Sequence, residues 1–579
     1  MRKRSAPVRT AVLFLLVLIA FPCCAFAGSS DPCPRPAQGS VITNPPDLYS
    51  RNGVLKVTFH YYTTVDPWNR TLFCYVTRDG IEAPTLHLDP GDTLDVTLIN
   101  DEKGGPPPSS EQVSGNSTVC GSFDMTAQSV NLHFHGMNVS PRCHSDEVVH
   151  TLVNPGERFR YRIKVPNDEP PGMYWYHAHV HTISSHAVQG GASGAIEIEG
   201  IANLQHAVAG LPQRFLVVRD QPLQNPPKNQ QLYPTAPFWD VSLNYVPVPY
   251  PSYTPGVIQM QAGAQEFWRV VNASADTILD LQLLYDGRAQ PVEIVALDGV
   301  PVGSQDGKGQ GSLIAQKDVL IPPAGRAEFI VTGPSAKVKQ ALFMTEHIDT
   351  GPVGDIDTRR PLATIRLTND AKKIPAPVLP VAAAVTGQRF ANVGDEMVSA
   401  HRTLYFDEHN TTKAGPGAGG QFLITVKGQL EVPYYPNEPP AITTTEGVVE
   451  DWKIENRTQE VHEFHMHQIH FQVLAVNDVP IPRDQRQWYD TFQVPYVPKT
   501  GYTGKGKWPS IAVRMDFRGA VAGEFVYHCH ILDHEDAGMM ANILVLPRGG
   551  TDRHARAQEH RPAGAGPVRL GARAAPLHV

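Results

Sequence analysis

The sequence predicts an all-β protein built from three Greek-key sandwich units, and three observations lead there. Proline is in excess, 52 of 579 residues where about 5% is usual. Together with 48 glycines it points to many turns between short strands and argues against an all-helical bundle. A glycine followed nine residues later by an asparagine, across an apolar alternation, occurs three times: Gly91 to Asn100 (GDTLDVTLIN), Gly263 to Asn272 (GAQEFWRVVN) and Gly447 to Asn456 (GVVEDWKIEN). A second correspondence links the outer units, GMYWYHAH at Gly172 to His179 matching GEFVYHCH at Gly523 to His530. Alternating runs bounded by Gly, Pro or Asn are strand signals, and units of this size built from them read as β-sandwiches. Length alone, at roughly 150 residues per domain, would allow about four domains. The repeats divide the body into three instead: residues 28–200, 201–375 and 376–547.

The two ends stand apart from this body. Residues 1–27 combine a basic stretch from Arg2 to Arg9, an apolar run from Ala11 to Phe21 and the small-residue site Ala25-Phe26-Ala27, which reads as an export signal. The apolar run is shorter than the ~20 residues that span a bilayer. The expected location is therefore periplasmic or extracellular, with no stable membrane insertion after cleavage. Residues 548–579 are rich in Arg, Ala, Gly and Pro without apolar periodicity and read as a disordered basic tail. The formal charge of −8 hides these basic ends, because residues 28–547 alone carry −16. A body that acidic repels phosphate backbones, which excludes nucleic acid as the expected partner.

Cys23 and Cys24 fall in the signal, leaving Cys33, Cys74, Cys120, Cys143 and Cys529. In an exported chain the first four are expected to form two disulfides, in any of three connectivities. Cys529 is left over and needs a role.

Histidine supplies it. Five His-x-His pairs occur: His133/His135, His177/His179, His179/His181, His465/His467 and His528/His530. Residues i and i+2 of a strand share a face, so each pair presents two imidazoles from a rigid element. The pairs sit in the first and third units and are absent from the second, the distribution expected of a metal cluster built between the outer units. In HCHILDHEDAGMM (528–540), Cys529, His534 and Met539 place a thiolate, an imidazole and a thioether on one loop. With a remote histidine, His462, they make the two-His, one-Cys, axial-Met environment of an electron-transfer copper. Calcium or magnesium would take oxygen ligands instead.

The segments HFHG (133–136), HAH (177–179), HEFHMH (462–467) and HCHILDHEDAGM (528–539) resemble the four copper-binding motifs of the multicopper oxidases, over residues ~50–547 and in the same order. The resemblance implies three cupredoxin-like domains, the second without ligands, and four copper ions. It implies a type 1 copper on His462, Cys529, His534 and Met539, with Met540 the adjacent competitor for the axial place and His462 the point of electron entry. A type 2 copper would take His133 and His465, and a type 3 pair would take His135, His177, His179, His467, His528 and His530. It further implies that dioxygen is the acceptor, reduced to two waters by four one-electron oxidations of a small-molecule or metal-ion donor, with Glu535 and Asp146 as candidate proton-delivery acids.

Within that resemblance the expected activity is laccase-like, on phenols or aromatic amines. A metallo-oxidase of Fe(II) or Cu(I) is the alternative, and a non-catalytic copper-binding sandwich protein is a third reading. His144, His150, His181, His186 and His470 exceed the ligand count. Glu463 and Gln468 stand where many relatives have Pro and Gly, and both are expected near the type 1 pocket. Six Asn-x-Ser/Thr sequons, at Asn69, Asn116, Asn138, Asn272, Asn410 and Asn456, would mark exposed loops in a eukaryotic secretory protein.

Overall fold

The computed structural model describes residues 33–103, 120–121, 125–227, 236–305, 310–378, 388–409, 420–498 and 507–549. The signal read in residues 1–27, and the basic tail beyond Gly549, lie outside the described residues. The described chain is β-structure with short helices, of which Ser184–Gln189 and Leu532–Asp536 matter below. No helix among the described residues is long and apolar enough to cross a membrane.

Six sheets pair into three sandwiches. Over residues 47–198 a four-stranded sheet (Val54–Val65, Thr71–Thr77, Thr93–Asn100, Arg158–Lys164) faces a five-stranded one (Asp47–Tyr49, Thr85–Leu88, His133–His135, Gly172–His177, Ser193–Ile198). Over residues 213–367 an eight-stranded sheet faces a six-stranded one, and over residues 398–546 a seven-stranded sheet faces a five-stranded one. Each sandwich encloses its own apolar core, around Phe59 and Tyr161, Trp268 and Phe343, and Trp452 and Phe464 respectively. The burial that holds each unit together is therefore the inward face of alternating strands.

The triple repeat has a physical basis. Gly91, Gly263 and Gly447 take left-handed φ values of +89°, +65° and +93°, and each turns the chain into a strand that pairs in parallel with its unit's first long strand. The asparagines that end those strands, Asn100, Asn272 and Asn456, are fully buried. Their amides donate to pairs of backbone carbonyls: Gln128 and Val153, Thr277 and Ile321, Glu460 and Val494. A buried carbonyl left unpaired costs about 1–3 kcal/mol, so one asparagine per unit secures two of them. The same observation corrects the sequon reading. Asn138, Asn272 and Asn456 are at most 1% exposed and cannot mark surface loops.

The cysteines form Cys33–Cys74 and Cys120–Cys143, leaving Cys529 free and buried. The units meet through buried contacts. Met173, Trp175 and Ala195 of the first pack on Phe215, Val217 and Val271 of the second, and Val188, Ala275 and Leu532 bring all three together.

Candidate metal centre

The matched strands place the histidines face to face. His133–His135 pairs antiparallel with Gly172–His177, putting His133 opposite His177. In the third unit His462–Met466 pairs with Gly523–Cys529, putting His465 opposite His528. The first and third units then meet so that His133 stacks on His467 at 3.9 Å and His135 on His465 at 4.1 Å between ring centroids. His530 closes the group, 5.0 Å from His135 and 5.3 Å from His528. With His179, 5.1 Å from His528, these eight rings are at most 2% exposed.

Their hydrogen bonding is one-sided. His133 engages Asp146 through Nδ1, His177 and His528 donate Nδ1–H to the Ala178 and Cys529 carbonyls, and His465 donates Nδ1–H to Asp490 O. His135 is reversed, with Nε2 3.1 Å from Asp490 Oδ1. The opposite nitrogens, Nε2 of His133, His177 and His465 and Nδ1 of His135, have no partner among the described residues; neither do His467 Nδ1 or the two nitrogens of His530. His179 and His528 meet Nε2 to Nε2 at 3.3 Å, and His467 and His528 at 3.2 Å. Potential ligand atoms gather within 4.8 Å of one another in sets such as His133–His135–His177, His133–His465–His467 and His179–His467–His528.

Unpaired buried nitrogens are costly unless a cation takes them. Burial, reinforced by neighbouring imidazoles, holds His135, His177, His179, His465, His467 and His530 well below the usual imidazole range, and His528 at about 3. These rings are neutral at physiological pH, the form that binds metals. The donor set fits a cluster of borderline, nitrogen-preferring ions.

A second, mononuclear set lies one residue away along the strand. Cys529 Sγ is 3.6 Å from His462 Nδ1 and 3.8 Å from His534 Nδ1, and the two nitrogens are 3.2 Å apart. Helix Leu532–Asp536 carries His534 back toward the strand, and Met539 N–H donates to His534 O. Met539 is fully buried in the core cluster that contains Cys529, whereas Met540 packs in a separate cluster with Val148, Tyr434 and Val526. Burial pushes the Cys529 thiol well above its usual range, so a thiolate here needs a metal ion to balance its charge.

The ring expected to admit electrons is the more buried of the two in this set. His462 is fully buried, and its outer nitrogen lies 3.1 Å from Glu408 Oε1 and 2.9 Å from Thr458 Oγ1. The ring nearer solvent is His534, whose side chain is 11% exposed, with Nε2 3.6 Å from Glu460 Oε1 and Phe422 stacked on it at 4.3 Å. Burial, Glu408 and their mutual hydrogen bond raise Glu460 to about 10. Burial also opposes ionisation of Glu408, but the hydrogen bond and charge of His462 outweigh it and draw Glu408 down to about 2.

Of the two expected proton-delivery acids, Glu535 is fully buried, 3.8 Å from His181 Nδ1, and burial pushes its carboxyl up to about 8. Asp146 accepts from His133 Nδ1, Phe134 N–H and Gln468 Nε2, an orienting acceptor for His133. Gln468 is thereby placed beside Asp146 and not at the Cys529 set, contrary to expectation; Glu463 does lie there, its N–H donating to Cys529 Sγ. His470 donates Nε2–H to Asp298 O, His150 pairs with Glu147, and His144 stacks on Phe159. Sequence reasoning missed Glu408, Glu460, Asp490 and Arg326. Each is a single residue without a local pattern.

Sequence models described as "Multicopper oxidase" match residues 80–202 and 412–549. "Multicopper oxidase mco" of Staphylococcus haemolyticus is 22% identical over 482 residues, 80% of this chain and 81% of that protein. "Laccase" of Bacillus subtilis is 32% identical over 127 residues, 20% of this chain and 23% of the relative. "Multicopper oxidase LPR1 homolog 3" of Oryza sativa is 26% identical over 169 residues, 24% of this chain and 30% of the relative. Among solved structures, a metallo-oxidase from Campylobacter jejuni described as a multicopper oxidase superposes with a TM-score of 0.61 at 21% identity, covering 90% of this chain and 97% of its own. The McoA variant 2F4 from Aquifex aeolicus gives 0.62 at 18%, covering 88% and 99%.

Proposed function

This chain belongs to the multicopper oxidase family, whose members are copper oxidoreductases that couple oxidation of a small-molecule or metal-ion donor to reduction of dioxygen, and we propose that it does so with four copper ions. His462, Cys529, His534 and Met539 hold a type 1 ion; His133 and His465 hold type 2; His135, His177, His179, His467, His528 and His530 hold the type 3 pair. The carrying observation is the set of buried, neutral histidines whose unpaired nitrogens converge between the first and third units. Copper, when bound, supplies one-electron transfer at the first set and dioxygen reduction at the second.

The chain's own residues do the rest. Cys529 lies between His528 and His530, so a covalent path of one strand joins the two sets. Glu535, pushed up to about 8 by burial and 3.8 Å from His181 Nδ1, can hold a proton beside the segment that carries His177 and His179. The sandwich walls bury both sets, apart from the edge of His534. Two disulfides near the start of the chain support the export reading.

The sequence favours a laccase-like donor, a phenol or aromatic amine. One observation favours the metal-ion alternative: the outer nitrogen of His462 faces the Glu408 carboxylate, which is hydrogen-bonded to the protonated Glu460 beside His534, and a negative charge there attracts a cation and not a neutral phenol. Oxygen uptake by copper-loaded protein, measured with phenols, aromatic amines, Fe(II) and Cu(I), tests both readings. Uptake with none of them at full copper loading sinks the oxidase reading. Cys529→Ser should abolish the blue thiolate-to-copper band.

A further inference from the structure

Arg326, in the ligand-free middle unit, touches all three units. It opens strand Arg326–Thr332 and is 1% exposed. All five of its N–H groups are used. Nε donates to Met173 O in the first unit at 3.2 Å; Nη1 donates to Ala324 O at 3.2 Å and to Asp490 Oδ1 at 2.8 Å; Nη2 donates to Asp298 O at 2.9 Å and to Asp490 Oδ2 at 2.5 Å. Asp490, in the third unit, is fully buried.

A buried ion pair is weak grounds for stability, because desolvation offsets most of the attraction. What this pair does shows on the other side of the carboxylate. Asp490 Oδ1, steadied by Thr491 Oγ1 at 2.9 Å, lies 3.1 Å from His135 Nε2, and the Asp490 carbonyl accepts Nδ1–H of His465 at 2.8 Å. Both carboxylate oxygens of Asp490 already accept from the Arg326 fork, so toward His135 it stands as an acceptor. His135 must then carry its proton on Nε2 and present Nδ1 to the cluster, while His465 presents Nε2. The adjacent glycine is explained by the same pair: a Cβ on Gly136 would stand 2.3 Å from Arg326 Nη2 and 2.7 Å from Asp490 Oδ2.

We propose that Arg326 and Asp490 are a positioning pair through which the middle unit fixes the tautomer and ring orientation of His135, and with His465 the geometry of the trinuclear cluster. This rests on the four-copper reading above. Outer partners of metal-bound histidines are worth about 10–100-fold in metal affinity.

The test compares holoprotein of the parent chain with Asp490→Asn, which keeps the shape but loses the charge, and with Arg326→Lys, which keeps the charge but loses the two-pronged fit and keeps the test open if the first variant does not fold. Copper retention against a chelator is followed together with the type 1 visible band, the type 3 near-ultraviolet band and type 2 resonance. The expected result is a 10–100-fold loss of affinity confined to the cluster ions, with the type 1 band intact and kcat falling at unchanged donor KM. Unchanged cluster spectra and affinity in a folded variant would overturn the proposal. So would equal losses at the type 1 ion and the cluster, which mark general destabilisation. A parent chain that binds no cluster copper would instead sink the functional reading itself.

Discussion

The side-chain amide of Gln468, in the third unit, donates to Asp146 Oδ2 in the first at 2.5 Å, and Gln468 does so from a left-handed backbone with φ of +59°. That conformation costs a non-glycine residue roughly 1–2 kcal/mol, while a hydrogen bond to a buried charge contributes about 1.5–3 kcal/mol. The bond outweighs the strain. Gln468→Gly should therefore lower stability by about 1 kcal/mol, despite relieving the backbone, and release one of the contacts that fix Asp146 against His133. Chemical denaturation and the type 2 copper content of the variant check this; a stabilised variant with full type 2 occupancy would count against it.

Met539 and Met540 make a matched pair of substitutions. Leucine at either position should cost less than about 1.5 kcal/mol, since the two side chains are similar in volume. Only Met539→Leu should shift the type 1 reduction potential, because Met539 packs with Cys529 and Met540 does not, and the axial thioether tunes such sites. Redox titration of the visible band separates them. A shift in Met540→Leu of the same size would reverse the axial assignment.

Glu408 bears on donor choice. Neutralising Glu408 as Gln should raise KM for Fe(II) about tenfold, the effect of removing about 1.4 kcal/mol of attraction. A neutral phenol should change less than about threefold. Parallel steady-state assays decide it, and equal effects on both donors would remove the argument for a cationic substrate.

His87 links pH to stability away from the histidine clusters. It is 1% exposed and engages Asp47, Glu197 and Glu199 at 3.1, 3.2 and 2.9 Å. Burial alone would lower its pKa, but the three carboxylates outweigh burial and raise it to about 11 from 6.5. Because the folded value is the higher one, the stabilisation is fully present below about pH 6.5 and is lost as pH rises toward 11. His87→Gln should be destabilised by about 3 kcal/mol at the lower end, as when a buried pair loses one partner, and the gap from the parent should narrow with rising pH. Denaturation midpoints at several pH values test this; a gap that widens has the wrong sign.

The paired histidines of the proposed metal centre were readable in the chain because strand geometry converts a local spacing into a shared face. His133 and His135, or His528 and His530, need nothing distant to point together. The triple Gly-to-Asn pattern was readable for a related reason, since each unit needs the same left-handed turn and the same buried amide. Arg326, Glu408 and Asp490 carry no such pattern. Their partners lie 164 residues away for Arg326 and Asp490, and 54 for Glu408 and His462, and a lone acid or base in a strand looks the same whether it ends in solvent or against a ligand. The deeper burial of His462 than of His534 was hidden likewise, because Glu408 and Phe406, which cover His462, come from a strand distant in the sequence.

By itself, then, the sequence determined three sandwiches, their order, and which histidines and sulfurs could hold copper, because period-two alternation and short spacings are local properties of the backbone. Tertiary structure alone decided which ring nitrogens are left unpaired, how four cysteines pair among three possibilities, and that the middle unit meets Asp490, and through it His135, by way of Arg326. Those outcomes depend on desolvation and on contacts between units, and neither exists until the three sandwiches have closed on one another.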